Sequence, residues 1–461
     1  MGRSRKLAMM TGAAGLVLAL VLLFLFRPGA AVATAQGAGG STLVGVATCG
    51  GTTCHGRSEA DGKIVRQDEL MIWQDPSSPS GAHSRAWQVL TEPRSRAIAQ
   101  RLGIGEAASA PMCLGCHATP AAGGSRGSRF QTSDGVGCEA CHGAASGWLS
   151  SHYAVGASHA ANVSRGMIPL DNPKARASVC LDCHFGSADP GQFVNHRIMA
   201  AGHPRIAFEL DLFSTLQQHH NEDADYARRK GRTNSVKMWA VGQAMALDRS
   251  LTLFADARRG TEGVFPEFYF LDCHSCHRPI SDDPRFEPTA LDNPGRPIPE
   301  GMPPYNDENM IMLSAAAKVV APQLAERFAR DSRAFHQAMG RDRAAAVAAA
   351  VILRGSARAL ANAFASADLG RTQAFAIIDA ITSEAISSRF TDYAGSVQAV
   401  MATDTLLSAL VNMGGVSPGQ ADAIRSDINA AYRAVRDPNA YSPRDFRASL
   451  GRAASSIRSL R

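Results

Sequence analysis

Cys138-Glu139-Ala140-Cys141-His142, set between Gly137 and Gly143, is the stretch that most constrains this chain, because the same grammar consumes every cysteine it has. The pattern recurs as Cys113-x-x-Cys116-His117, Cys180-x-x-Cys183-His184 and Cys273-x-x-Cys276-His277, with a longer copy at Cys49-x4-Cys54-His55. C-x-x-C-H is the attachment signature of a c-type haem: the two thiols add to the vinyl groups and the histidine behind them reaches the iron. One match to so short a pattern is weak evidence, but four regular copies are not chance. A disulfide framework or zinc knuckles would also use cysteine pairs, yet neither requires a histidine directly after each second cysteine. In the long first copy two extra residues must loop out, and Gly50 and Gly51 permit that backbone. A Cys49–Cys54 disulfide is the other reading of this copy. The expected cofactors are five covalently attached haems c with their iron.

The N-terminus reads as an export segment. Arg3, Arg5 and Lys6 precede an apolar run from Leu7 to Phe26, and small residues follow up to Ala33-Thr34-Ala35. Residues 1–35 are either a signal peptide cleaved after Ala35 or an uncleaved membrane anchor, since 20 mostly apolar residues can span a bilayer. Both place the rest of the chain in the periplasm, with membrane association through residues 7–26 if the segment is kept. The formal charge of +6 falls by four, to +2, without these residues, which hold Arg3, Arg5, Lys6 and Arg27 and no acid. Five haems near −1 each would bring the loaded protein to about −3. Nucleic acid is not an expected partner; redox proteins in the periplasm or at the membrane are.

Residues 36–48 are rich in Gly and Ala and predict a flexible lead-in. From there to residue 278 lies the expected pentahaem domain (36–278), with short helices over Ser84–Leu90, Ser95–Leu102, Arg197–Ala201, Phe208–Gln217 and Ser235–Phe254 and little strand pattern. Eight prolines between Pro279 and Pro304 make 279–305 an extended linker or a surface wrap. Residues 306–461 are Ala-rich, and apolar residues recur at helical spacing through Met310–Met339, Arg343–Phe364, Thr372–Phe390 and Ser396–Met413. Ser417-Pro418 and Ser442-Pro443 each put a capping hydroxyl before a proline, marking two further helix starts. The expected fold is mainly α: a haem-packed domain with little regular sheet, followed by a helical bundle.

Five proximal histidines (His55, His117, His142, His184 and His277) leave nine others among 14. Second axial ligands are therefore available for every iron. His83, ahead of Ser84-Arg85-Ala86-Trp87, and His152, ten residues past His142, are candidates. His196 and His203 stand two helical turns apart, so their rings leave one face about 10 Å apart and can address two haems. The adjacent His219 and His220 supply at most one ligand, taken as His220. His159 reads as a loop residue or a reserve ligand, while His274, between Cys273 and Cys276, should face away from iron. The lone His336 of the Ala-rich half reads as a core or surface residue.

The segments Gly137 to Gly143, Asn195-His196 through Gly202-His203-Pro204-Arg205, Phe208-Glu209-Leu210 and Phe265-Pro266-Glu267-Phe268 resemble multihaem cytochromes related to cytochrome c-554. The extra spacing of the first motif is also similar to that group. The resemblance extends from about Val44 to Arg278. It implies closely stacked haems, mostly bis-histidine iron and periplasmic electron transfer, in the best-known member from hydroxylamine oxidation towards the quinone pool. By that resemblance His83, His152, His196 and His203 occupy distal-ligand positions. Five motifs and a long helical extension depart from the best-known member, so its donor and acceptor do not carry over. An exported electron carrier is the expected function. The alternative is a multihaem oxidoreductase acting on a small nitrogen or sulfur compound at an iron with an open sixth position. Pentahaem nitrite reductases are similar to this in haem count, but their C-x-x-C-K motif has no counterpart here.

Overall fold

In the computed structural model, residues 41–60, 66–121, 124–261, 263–277, 296–297, 302–385 and 393–461 are described. The expected export segment 1–35 lies outside them, as does the linker 279–305 apart from 296–297 and 302–305. The chain is mainly α, as the patterning predicts. In the cysteine-bearing part the helices are short: α1 (Val46–Cys49), α2 (Glu69–Gln74), α3 (Pro93–Leu102), α4 (Pro111–His117), α5 (Cys138–His142), α6 (Leu149–His152), α7 (His159–Ser164), α8 (Pro173–His184), α9 (His196–Ala200), α10 (Leu210–Leu216) and α11 (Ala224–Lys230). Sheet among the described residues amounts to β1 (Thr42–Leu43) and β2 (Ser125–Arg126), paired in parallel.

Long helices begin with α12 (Ser235–Ala255) and continue as α13 (Glu308–Val320), α14 (Pro322–Met339), α15 (Arg343–Ser366), α16 (Arg371–Ala385), α17 (Tyr393–Asn412), α18 (Pro418–Ala434) and α19 (Pro443–Arg458). Both Ser-Pro starts are present, and Ser417 forms a full capping box with Gln420 at the head of α18. α12 packs on α15, α13 and α17 on one side and on α8 and α10 on the other. One apolar cluster accordingly runs from Ala177 and Leu181 on α8, through α12, to Ile457 on α19. Hydrogen bonds stitch the same junction. Asn309 Nδ2 donates to Gln243 Oε1 at 2.7 Å, and Lys174 Nζ to Asn362 Oδ1 at 2.7 Å.

Elsewhere in the motif-bearing part apolar packing is sparse: Leu90, Ala99 and Ala107 form one small cluster, and Leu102, Ile198 and Ala201 another. So few aliphatic side chains contribute little hydrophobic burial. Most of the motif-bearing segments therefore stand around the histidines rather than around a core of their own.

Four expectations are corrected by the local hydrogen bonding. Residues 41–48 are not a loose lead-in, because the buried Glu139 carboxylate accepts from the backbone of Val44 and Gly45 (2.9 and 2.8 Å) and fixes that strand on the third motif. Ser84–Leu90 forms turns ending in a 3-10 turn over Gln88–Thr91; the His83 carbonyl that would continue a helix instead accepts from Ala86 and Val136. The apolar run from Met310 to Met339 is two helices, since Pro322 cannot continue the first and starts the second. The helix at His196 stops at Ala200, so the two-turn geometry inferred for His196 and His203 does not hold; Gly202, at φ +112°, turns the chain before His203.

Phe254 of α12 touches Phe265, Phe270, Tyr305 and Phe335 and is 1% exposed. Phe254→Ala should destabilise the protein by about 3–5 kcal/mol. Denaturant unfolding followed by far-ultraviolet dichroism measures this, and a loss below about 1 kcal/mol would contradict the junction as drawn.

Candidate haem sites

Each attachment motif presents its three side chains from one short turn. In α4, α5 and α8 the cysteines stand at i and i+3 and the histidine at i+4, positions that share a helical face. The fifth motif closes with His277 N–H donating to the Cys273 carbonyl at 2.8 Å. In the long first motif His55 N–H likewise reaches the Cys49 carbonyl, at 3.2 Å, so the two additional residues bulge out while the same closure is kept. That bulge brings Gly56 so close to Gly50 that a Cβ at Gly56 would lie 2.0 Å from its carbonyl oxygen. None of the ten cysteines is paired in a disulfide, Cys49 and Cys54 included.

Every proximal histidine faces a second one. His55 is opposite His152 with ring centroids 6.1 Å apart, His184 opposite His83 at 6.0 Å, His117 opposite His203 at 6.3 Å and His277 opposite His196 at 6.3 Å. His142 faces both His219 (6.3 Å) and His220 (6.1 Å), and the three could share one metal ion. Two metal–nitrogen bonds of about 2.0 Å, plus about 1.1 Å from each nitrogen to its ring centre, span about 6.2 Å. The spacing in all five pairs is thus that of two imidazoles on one iron, and the residues fit the cofactor that the motifs imply.

Outer hydrogen bonds aim several of these rings. A carbonyl can only accept, so the Nδ1 contacts of His117 with Ala86 O (2.7 Å), His203 with Pro204 O (2.8 Å) and His219 with Gln217 O (3.2 Å) put the proton on Nδ1 and leave the Nε2 lone pair free. His55 Nδ1 does the same towards Glu69 Oε2 at 2.9 Å. Burial lowers the pKa of His83, His152 and His203 and takes His142 to about 3, His184 to about 4 and His219 to about 4. These imidazoles are held neutral, the form that binds a metal. His55 moves the other way, raised by its hydrogen bond to Glu69.

Three histidines stand apart from the pairs. His159 is exposed and meets Asp171 at 3.3 Å. His274 points into the helical half, where Nδ1 donates to Pro438 O at 2.6 Å and the ring packs on Tyr393 and Tyr441. His336 is buried beside Asp307, at 3.3 Å.

The sites adjoin one another in a single file. α1 of the first motif packs on α5 of the third. α5 packs on α8 of the fourth motif, and α4 of the second motif packs on the same α8, with Cys116 Sγ 4.0 Å from Cys183 O. His203 of the second pair and His196 of the fifth lie on one short segment. The order is first, third, fourth, second, fifth. Of the ten cysteines Cys54 and Cys276 are the exposed ones, and they belong to the two ends.

Sequence reasoning missed the residues that steady these sites. Glu69, Glu139 and Gln192 act on partners far along the chain, and no local pattern distinguishes them from ordinary polar residues.

A mainly α chain with cysteine pairs not joined as disulfides and with facing histidines is built as c-type haem proteins are. Residues 48–143, which contain the first three motifs, match the model of the cytochrome c554 and c-prime family, for which haem c and iron are the implied cofactor. No curated protein and no solved structure matches the chain.

If the first motif carries a haem through both sulfurs, the denatured mature protein should expose no alkylatable thiol and its intact mass should include five haems. Two reactive thiols with four haems would remove the Cys49–Cys54 site.

Proposed function

We propose that this protein is an exported pentahaem electron carrier. Cys49/Cys54, Cys113/Cys116, Cys138/Cys141, Cys180/Cys183 and Cys273/Cys276 would tether the haems. The axial pairs would be His55/His152, His117/His203, His142/His220, His184/His83 and His277/His196. The observation that carries the reading is the ring spacing of 6.0–6.3 Å in every pair. Haem iron supplies reversible one-electron chemistry. Histidine on both sides would fill its coordination, so that oxidation state would change with little ligand movement and no position would be left for substrate.

The single file of sites gives such a carrier two ends. Tyr153 and Val155 beside His152, and Phe268 against His196, are exposed apolar residues at the first and fifth sites. A donor would dock at one end and an acceptor at the other. Residues 1–35 would direct the chain to the periplasm, as a cleaved signal or as a retained anchor. The oxidoreductase alternative requires an iron with one protein nitrogen, and each proximal histidine has a facing partner.

His203→Ala should open one iron, opposite His117. In low-temperature electron paramagnetic resonance the oxidised variant should gain one high-spin signal that shifts when hydroxylamine or nitrite is added, while the wild type shows none. A wild-type high-spin signal that responds to either compound would favour the oxidoreductase.

A further inference from the structure

We propose that Glu69 is a shared positioning residue for two adjoining haem sites, accepting a hydrogen bond from His55 of the first at one carboxylate oxygen and setting its charge against His220 of the third with the other, and so lowering both reduction potentials. The proposal rests on the bis-histidine reading above and goes beyond it in giving two of the five sites a common control. Glu69 is 6% exposed. Its Oε2 lies 2.9 Å from His55 Nδ1 and its Oε1 3.7 Å from His220 Nδ1. A carboxylate accepts only, so His55 Nδ1 carries its proton towards Oε2 and leaves Nε2 free, while Oε1 stands at ion-pair distance from the His220 ring.

The surroundings hold this arrangement in place. Leu70 N–H donates to the His55 carbonyl at 2.9 Å, so Glu69 and Leu70 fix the first proximal histidine by ring and backbone together. Asn221, next to His220, contacts both oxygens of Asp68 at 3.4 Å. The segment 68–70 is therefore tied to both ligands at once.

The same carboxylate distinguishes the two candidates opposite His142. His219 donates to a neutral carbonyl of its own backbone, whereas His220 faces a charge. A ligand whose outer N–H meets a carboxylate is the more basic donor and stabilises the ferric state. A buried negative charge beside two irons adds to that preference, because little solvent screens it. Both effects act on the first and third sites and fade at the second, fourth and fifth.

The test uses the haem-loaded full protein, with E69Q as the variant because it keeps the shape and removes the charge. Potentiometric titration followed by haem absorbance should show two of five midpoint potentials raised and three unchanged. D171N, which alters the partner of the unpaired His159, should leave all five in place. If E69Q fails to load its haems, E69D, which keeps the charge but withdraws it by one methylene, should raise the same two potentials by less. Unchanged potentials, a shift in one alone, or a shift spread over all five would overturn the proposal. Failure of the underlying reading has a different sign: the wild type itself would lack bis-histidine ligation at the first or third site before any variant is compared.

Discussion

Imidazole facing imidazole, repeated five times at the spacing of two ligands on one metal, is the arrangement around which the motif-bearing part of this protein is built. Its own apolar clusters away from α12 are small, around Leu90 and around Ile198, while histidine pairs join segments far apart in sequence. His55 with His152, or His83 with His184, links stretches roughly a hundred residues apart. In the proposed haem-loaded protein, metal–ligand bonds and porphyrin burial would take the part there that aliphatic packing takes elsewhere.

The helical half works by the opposite principle. Its helices bury a continuous apolar cluster that includes α12 and α8, so the fourth motif rests on that cluster. His274 shows how the two parts meet: placed between the cysteines of the fifth motif, it turns away from the iron side and anchors to Pro438 and the tyrosines behind it. Asp272, beside it, caps the turn through Ser275. A rigid base under the fourth and fifth sites would suit a carrier, because fixed ligands limit the reorganisation that accompanies each change of oxidation state.

Much of this was legible in the sequence, and for a physical reason. Attachment motifs, helical periodicity and Ser-Pro starts are local signals, so the five motifs, α12 and α18 could be read directly. His83, His152, His196, His203 and His220 could be singled out as distal candidates, but their partners could not, since pairing is set by how distant turns meet. The same limit hid Glu69, whose partners His55 and His220 are 14 and 151 residues away. Where local rules failed, at Ser84–Leu90 and after Ala200, the backbone bends to deliver a histidine: the His83 carbonyl is drawn towards Val136, and Gly202 turns the chain into His203.

Five facing pairs would make five six-coordinate irons. Near-infrared magnetic circular dichroism of the oxidised wild-type protein reports axial ligation directly, even where neighbouring irons couple magnetically. Five such irons should give bis-histidine charge-transfer intensity equivalent to all five haems and no high-spin band. A full equivalent of high-spin haem, or of a histidine–methionine pair, would contradict it.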